Sequence, residues 1–302
     1  MTEYKSIAIL GANSQMALDY IDLESIRGGG NLYLFSRGEN IDRLSKKIDG
    51  RVKSLPYSEF QNHKYDLIIN FIGSSDQIKV RGLGIKYLEI CKKFDDMALD
   101  YLRMNKNCKY IFISSGARYG QIFERGPANE KSKSTFTTFS SSNDDFYGLT
   151  KYLIEKEHSE QQDLNIVDLR VFSYIDKNQD INSGMFVPSL ARAIIQKKVF
   201  ETSGSDMFRD YTCAENLYTL IDGLNASTIG AFDLFSTEKI SKFELLEIFA
   251  DSIEVKFIDR LHHNGEKKYY YSENVEARRV GFKPKYSSID NIKRYVEMVA
   301  KR

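Results

Sequence analysis

Ser6-Ile-Ala-Ile-Leu-Gly-Ala-Asn-Ser-Gln-Met-Ala17 runs an apolar segment into a glycine turn and then into helix-period sequence. Ser6 to Leu10 reads as a buried strand, and Gln15 to Ile26 as the helix that follows it. The same alternation continues outward. Asn31 to Phe35 is a second strand, followed by a charged helix from about Ile41 to Ile48, with a weaker strand around Val52 to Leu55. Tyr65 to Ile72, Tyr110 to Ile113 and Leu164 to Phe172 are further strands, the last preceded by a long helix. The clear strands are continuous apolar runs, which belong in a parallel sheet covered on both faces. Strand–helix alternation of this kind predicts an α/β chain with a doubly wound Rossmann sheet. Beyond Tyr174 the pattern breaks into mixed segments, which suits a smaller C-terminal lobe over the sheet's carboxyl edge.

Composition bounds the partners. At 302 residues the chain holds one large α/β domain, or a domain with a smaller lobe. A net charge of +1, with no Lys/Arg stripe, gives no reason to expect nucleic acid. No stretch approaches the ~18 continuous apolar residues of a membrane span. The N-terminal residues run straight into a strand, unlike a signal peptide. Cys91, Cys108 and Cys213 are widely spaced and odd in number, so they read as thiols in a reducing compartment. The expectation is a soluble, cytoplasmic protein. His63 and His158 stand alone and His262-His263 are adjacent, with no third ligand at metal spacing, so no metal site is expected.

Three segments in order describe a site. Gly11 to Ala17 brings backbone N–H groups to the start of a helix, where the dipole favours a pyrophosphate. Gly11 makes the tight turn, Ala17 is small enough for close helix packing, and Ser14 replaces the middle glycine with a hydroxyl. The second strand ends in Phe35-Ser36-Arg37-Gly38. A carboxylate at that tip holds a ribose hydroxyl, whereas a hydroxyl beside a guanidinium suits a 2′-phosphate, so NADP(H) is expected. Ser114-Ser115-Gly-Ala-Arg-Tyr-Gly120 and Tyr147-Gly-Leu-Thr-Lys151 supply the chemistry. Residues four apart share a helix face, so Lys151 is expected to stabilise the Tyr147 phenolate, while Ser115 orients the substrate oxygen.

These residues resemble the extended short-chain dehydrogenases/reductases that act on nucleotide sugars, and the match covers most of the chain. The Gly-Ala-Asn-x-Gln wording of the first loop is similar to the dTDP-4-dehydrorhamnose reductases. Asp66-Leu-Ile-Ile-Asn-Phe-Ile-Gly73 resembles the fourth strand, which runs under the nicotinamide half of the cofactor. Leu169-Arg-Val-Phe-Ser173 and Val280-Gly-Phe-Lys-Pro284 resemble two further family segments. The resemblance implies Ser115, Tyr147 and Lys151 as catalytic residues. It implies a cofactor site at Gly11, Asn13, Ser14, Gln15, Met16, Ser36, Arg37, Phe71, Ile72 and Gly73, together with Tyr147 and Lys151. Phe208-Arg-Asp-Tyr-Thr-Cys-Ala-Glu-Asn216 resembles the segment whose arginine contacts the nucleotide diphosphate, which carries over to Arg209. The implied division is residues 1–174 with about 211–238 for the dinucleotide, and about 175–210 with 239–302 for the substrate. A homodimer is the family's habit.

Departures narrow the expectation. The family's dehydratases carry Asp-Glu after the catalytic hydroxyl, where this chain has Gly116 and Ala117, which transfer no protons. Met185 stands where the family has Asn, ahead of Val187-Pro188. The expected activity is NADPH-dependent reduction of a 4-keto-6-deoxy sugar nucleotide, with Tyr147 as proton donor. The alternatives are a nucleotide-sugar epimerase with tightly bound NAD(P), and a catalytically silent NADP-binding sensor. The polar loop from Lys131 to Asp145, just before Tyr147, is expected to close over the sugar.

Overall fold

The computed structural model describes residues 4–27, 29–37, 50–74, 76–136, 146–258 and 267–302. The helix expected at 41–48, most of the loop at 131–145, Gly38 and His262-His263 lie outside the described residues.

Seven strands form one parallel sheet: β1 (Ser6–Leu10), β2 (Asn31–Phe35), β3 (Val52–Leu55), β4 (Leu67–Asn70), β5 (Lys109–Ser115), β6 (Ile166–Val171) and β11 (Gly230–Leu234). Their order is β11-β6-β5-β4-β1-β2-β3, the doubly wound arrangement. Both faces are covered, which is why the strands read as continuous apolar runs. On one face Ile7, Ile9, Leu34, Ile69, Ile111 and Leu169 pack beneath α1 (Gln15–Arg27) and α6 (Ala214–Gly223). On the other, Ala8, Leu10, Ile68, Tyr110 and Phe112 meet α3 (Ile85–Met104) and α4 (Phe146–Glu160). A short helix, α2 (Gln77–Leu83), precedes α3.

The remaining elements build the lobe: β7 (Ser173–Tyr174), α5 (Phe186–Gln196), β8 (Phe200–Thr202), β9 (Phe208–Arg209), β10 (Tyr211–Thr212), β12 (Ile240–Ser241), α7 (Lys242–Ile248), β13 (Val255–Phe257), β14 (Tyr269–Tyr270) and α8 (Ser288–Ala300). A separate apolar cluster of Val187, Leu190, Phe200, Leu245, Ile292 and Tyr295 joins α5, β8, α7 and α8. The three-stranded sheet β12-β9-β14 joins parts of the chain far apart in sequence.

Two strand ends differ from expectation for identifiable reasons. The segment expected as a strand from Tyr65 to Ile72 is extended only over Leu67–Asn70. The Asp66 carboxylate accepts from the N–H groups of Lys5 and Ser6, each at 2.9 Å, and Asn70 Oδ1 accepts from Ile72 N–H at 2.9 Å, so side chains take up backbone donors at both ends, while the N–H groups of Asp66 and Phe71 still reach the Ser6 and Leu10 carbonyls at 2.9 Å. β5, in contrast, runs on through Ser115, so the expected catalytic hydroxyl sits on the last residue of a buried strand.

Candidate active site

Parallel strands put all their carboxyl ends on one edge, and here that edge carries the predicted segments side by side. Ser115 ends β5, Phe71 to Gly73 follow β4, Gly11 follows β1, and Ser36 and Arg37 follow β2. Three inter-strand steps of ~4.8 Å separate the first from the last.

The glycine turn is tied down tightly. Gly11 has φ +72°, and a Cβ there would stand 3.0 Å from Ile72 Cγ1 and 3.1 Å from its backbone nitrogen. Its N–H donates to the Phe35 carbonyl at 2.9 Å and to the Tyr57 hydroxyl at 3.1 Å, and that hydroxyl donates to the same carbonyl at 3.1 Å. Ser14 departs from the expected phosphate role in one respect, because its Oγ accepts from Ala17 N–H at 3.3 Å and caps α1. Its own proton remains available to donate. The first N–H groups of α1, on Gln15 and Met16, have no acceptor within the helix and mark the positive end of its dipole. Asn13 is exposed, and Ser36 is half-buried beside the exposed Arg37.

Gly73, at φ +139°, leaves the room that the loop after β4 needs. A Cβ there would lie 3.0 Å from the Tyr87 hydroxyl and 3.3 Å from Lys151 Nζ. These observations fit a dinucleotide: a tight glycine turn, a helix N-terminus and a buried ammonium bordering one continuous strand edge.

Helix α4 presents Tyr147, Lys151, Glu155 and His158 on one face, spaced four, four and three residues apart. The Ser115 hydroxyl lies beside the Tyr147 phenol and favours its anion, but burial outweighs this and pushes Tyr147 above its ordinary pKa. The expectation that Lys151 stabilises the phenolate is not met in this arrangement. Lys151 Nζ donates to the Ile113 carbonyl at 2.7 Å and stands 4.3 Å from the Phe112 ring centre. Burial also pulls its ammonium below the usual lysine value. Desolvation therefore outweighs the attraction expected from the spacing alone.

Below this pair lies a buried charge cluster. Glu155 accepts from Ser114 at 2.5 Å and from Arg170 at 2.7 and 2.9 Å, and pairs with Arg118 at 3.0 Å. Arg170 also donates to the Tyr119 hydroxyl at 2.8 Å and approaches Asp233 at 3.4 Å. The two cations and two carboxylates hold the turn Gly116–Tyr119, directly after Ser115, against the sheet. Gly116 is small by necessity, since a Cβ would fall 2.4 Å from the Phe172 ring.

His158 is buried and does not stand alone. Its Nδ1 lies 2.7 Å from Asp168 and its Nε2 3.1 Å from Asp95. Burial opposes charge on the ring, but the two carboxylates outweigh it and hold His158 well above the ordinary imidazole value. Asp95 also accepts from Tyr110 at 2.6 Å, and Tyr110 accepts from Asn70 at 2.8 Å, so this polar chain reaches the loop after β4.

From the lobe, Arg209 directs Nη1 at the carbonyls of Lys267 (2.6 Å) and Phe208 (2.8 Å), with its guanidinium carbon 5.7 Å from the Tyr270 ring centre. Tyr270 itself reaches the site, its hydroxyl 3.1 Å from Ser115 Oγ. The sequence reading missed it, because Tyr269-Tyr270-Tyr271 carries no motif. The inward charges of α4 did leave a signal, in the spacing of Glu155 and His158 behind Lys151.

Neither a family model nor a curated protein sequence matches the chain. Solved structures do. A UDP-N-acetylglucosamine 4-epimerase from Methanobrevibacter ruminantium, in complex with UDP-N-acetylmuramic acid, superposes with a TM-score of 0.82 at 18% identity, over 100% of this chain and 99% of that one. A UDP-glucose 4-epimerase from Bifidobacterium longum, with NAD+ and UDP, gives 0.77 at 17% identity over 99% of each. A dTDP-glucose 4,6-dehydratase from Bacillus anthracis, in complex with NAD, gives 0.75 at 14% identity over 99% and 97%. Over its whole length the chain therefore has the fold of these nucleotide-sugar epimerases and dehydratases, the architecture expected from its resemblance to the extended short-chain dehydrogenases/reductases.

Proposed function

We propose that this chain is an NAD(P)-dependent enzyme that interconverts a hydroxyl and a carbonyl on the sugar of a nucleotide sugar, acting as an epimerase. The convergence of Ser115 and Tyr147, with Lys151 one helical turn on, beside the Gly73 loop carries this reading. The likeness in fold to 4-epimerases crystallised with UDP-sugar ligands or NAD supports it over the other activities. Gly116 and Ala117 offer no acid or base for eliminating water.

When bound, a nicotinamide supplies the hydride acceptor and, in reverse, the donor. This chain's residues manage the proton and the geometry. For oxidation Tyr147 must enter as the phenolate, which takes the proton from the sugar hydroxyl; the resulting phenol gives it back when the carbonyl is reduced from its other face. Ser115 donates to the same oxygen and holds it in line. Lys151 keeps a positive charge behind the phenol, close to the loop where the cofactor ribose would lie. Arg209 takes the diphosphate, so that binding energy far from the reacting carbon fixes its place. Residues 1–174 with 211–238 hold the dinucleotide, and 175–210 with 239–302 hold the sugar.

A second reading, NADPH-dependent reduction of a 4-keto sugar nucleotide, is favoured by two observations. Ser36 and Arg37 follow β2, and a hydroxyl beside a guanidinium at that strand end suits a 2′-phosphate; burial keeps Tyr147 protonated, ready to donate to a forming alkoxide. Cofactor stoichiometry separates the two. With UDP- and dTDP-sugars and their 4-keto forms, an epimerase converts many equivalents without net loss of NAD(P)H absorbance, and a reductase consumes one NADPH per product. Tyr147→Phe should lower turnover by about 10²–10⁴-fold while sparing dinucleotide binding. Undiminished turnover in that variant would remove Tyr147 from the mechanism under either reading.

A further inference from the structure

We propose that Tyr270 is a positioning residue for the Ser115 hydroxyl, donating its phenolic proton to Ser115 Oγ so that Ser115's own proton points to Tyr147 and the substrate oxygen. The proposal rests on the reading of Ser115 as the ligand of that oxygen. It follows from counting protons. A serine hydroxyl has one proton to give and two lone pairs with which to accept. One lone pair of Ser115 is taken by Ala117 N–H, at 3.2 Å. What remains faces two phenols, Tyr270 of β14 with its hydroxyl in hydrogen-bond contact at 3.1 Å and Tyr147 of α4 beside it. If Ser115 gave its proton to Tyr270, it would have none for Tyr147 or the substrate. If Tyr270 donates, both lone pairs are filled from the protein and the single proton is left facing the reaction.

The surroundings of Tyr270 fix it in that role. Its ring packs edge-on against Phe123, with centroids 4.8 Å apart, and lies 5.4 Å from Phe172. Lys267 Nζ stands 5.2 Å from the ring centre and Arg209 on the other strand is its register partner, Tyr270 pairing with Arg209 between β14 and β9. The ring is therefore held by apolar walls and strand pairing, while only its hydroxyl meets the reacting edge. Burial holds this phenol above its ordinary pKa, which keeps the proton in place to be donated. The strand that presents Arg209 to a diphosphate thus also carries the pairing that sets the serine proton. A chain bond donated into Ser115 further polarises the bond Ser115 donates onward.

Tyr270→Phe removes the hydroxyl and keeps the ring. With a nucleotide sugar that the wild-type protein turns over, it should lower kcat about tenfold while leaving KM within twofold. In a Ser115→Ala background the same change should cost less than twofold, because the group through which it acts is gone. A third arm needs no turnover. In Ser115→Cys the new thiolate is stabilised by the same donor, so alkylation by iodoacetamide at pH 7.5 should be several-fold slower in Ser115→Cys/Tyr270→Phe than in Ser115→Cys. Wild-type protein sets the background from its own buried cysteines. Equal loss of kcat in both backgrounds, or a rise in KM with kcat intact, would overturn the assignment. If wild-type protein turns over no nucleotide sugar, the functional reading fails instead, and equal alkylation rates would then refute the positioning of residue 115 separately.

Discussion

Glu155→Gln is the sharpest test of what supports the catalytic edge. The change keeps the side chain's shape and removes its charge from a site only 4% exposed. Glu155 faces Arg170 at 2.7 Å and Arg118 at 3.0 Å, with Asp233 as the other buried acid of the cluster. Each close pair is worth roughly 5 kcal/mol at an effective dielectric of ~20, and the desolvation of both arginines has already been spent. Taking one acid away leaves two buried cations with a single carboxylate, a change that costs about 3–5 kcal/mol when a buried pair is broken. Folded domains are stable by only about 5–15 kcal/mol, so about a fifth or more of the total is at stake. Urea unfolding followed by far-UV circular dichroism at pH 7 should show the midpoint falling by about 1–2 M at unchanged slope. Adding Arg118→Met should recover part of the loss, because it removes the surplus cation. A loss below about 1 kcal/mol, or further destabilisation by Arg118→Met, would refute the account of the cluster as a balanced charge set.

Two other expectations follow from the described geometry. Burial holds Asp19 up to about 7, with Asp176 adding to the rise, against about 3.9 in an unfolded chain. The folded protein therefore binds the extra proton between these values. Its contribution is fully present below pH ~4 and is lost as pH rises through ~7, by up to about 4 kcal/mol. Asp19→Asn should flatten that part of the stability–pH curve, and parallel curves from urea midpoints at pH 5 to 8 would refute it. Gly73→Ala places a methyl 3.3 Å from Lys151 Nζ at a φ of +139°. It should weaken NAD(P)H binding about tenfold or more, measured by nicotinamide fluorescence, and an unchanged affinity would detach this loop from the cofactor.

Apolar continuity was enough to recognise β1, β2, β4, β5 and β6, because residues buried on both faces leave no polar alternation to confuse them; β3, largely exposed, read only weakly, and β11 was not read as a strand. Spacing was enough to align Tyr147 with Lys151, because four residues return a helix to the same face. What the chain did not declare was which neighbour each group would meet. Lys151 was expected to serve Tyr147, yet the Ile113 carbonyl lies closer to hand at the end of a strand almost forty residues earlier. His158 looked solitary because Asp95 and Asp168 come from a different helix and a strand. Tyr270 reaches Ser115 across 155 positions of sequence, through a two-residue strand too short to have a period. Local rules describe elements well, and long-range pairings only after the sheet order is known.

The way β9 sits between β12 and β14 has a consequence for how the chain acquires its shape. Phe208–Arg209 must wait for Ile240–Ser241 and then for Tyr269–Tyr270 before its sheet exists, and the main sheet itself is closed only when Gly230–Leu234 arrives beside β6. Such distant pairings are slow to form, since loop closure must be spent before contacts repay it. During synthesis, a chain cut short before residue 230 would carry β6 as a bare edge, with apolar residues and unpaired backbone groups facing solvent. Completion of the main sheet is therefore a late event, and the pairing of β9 with β14 is later still.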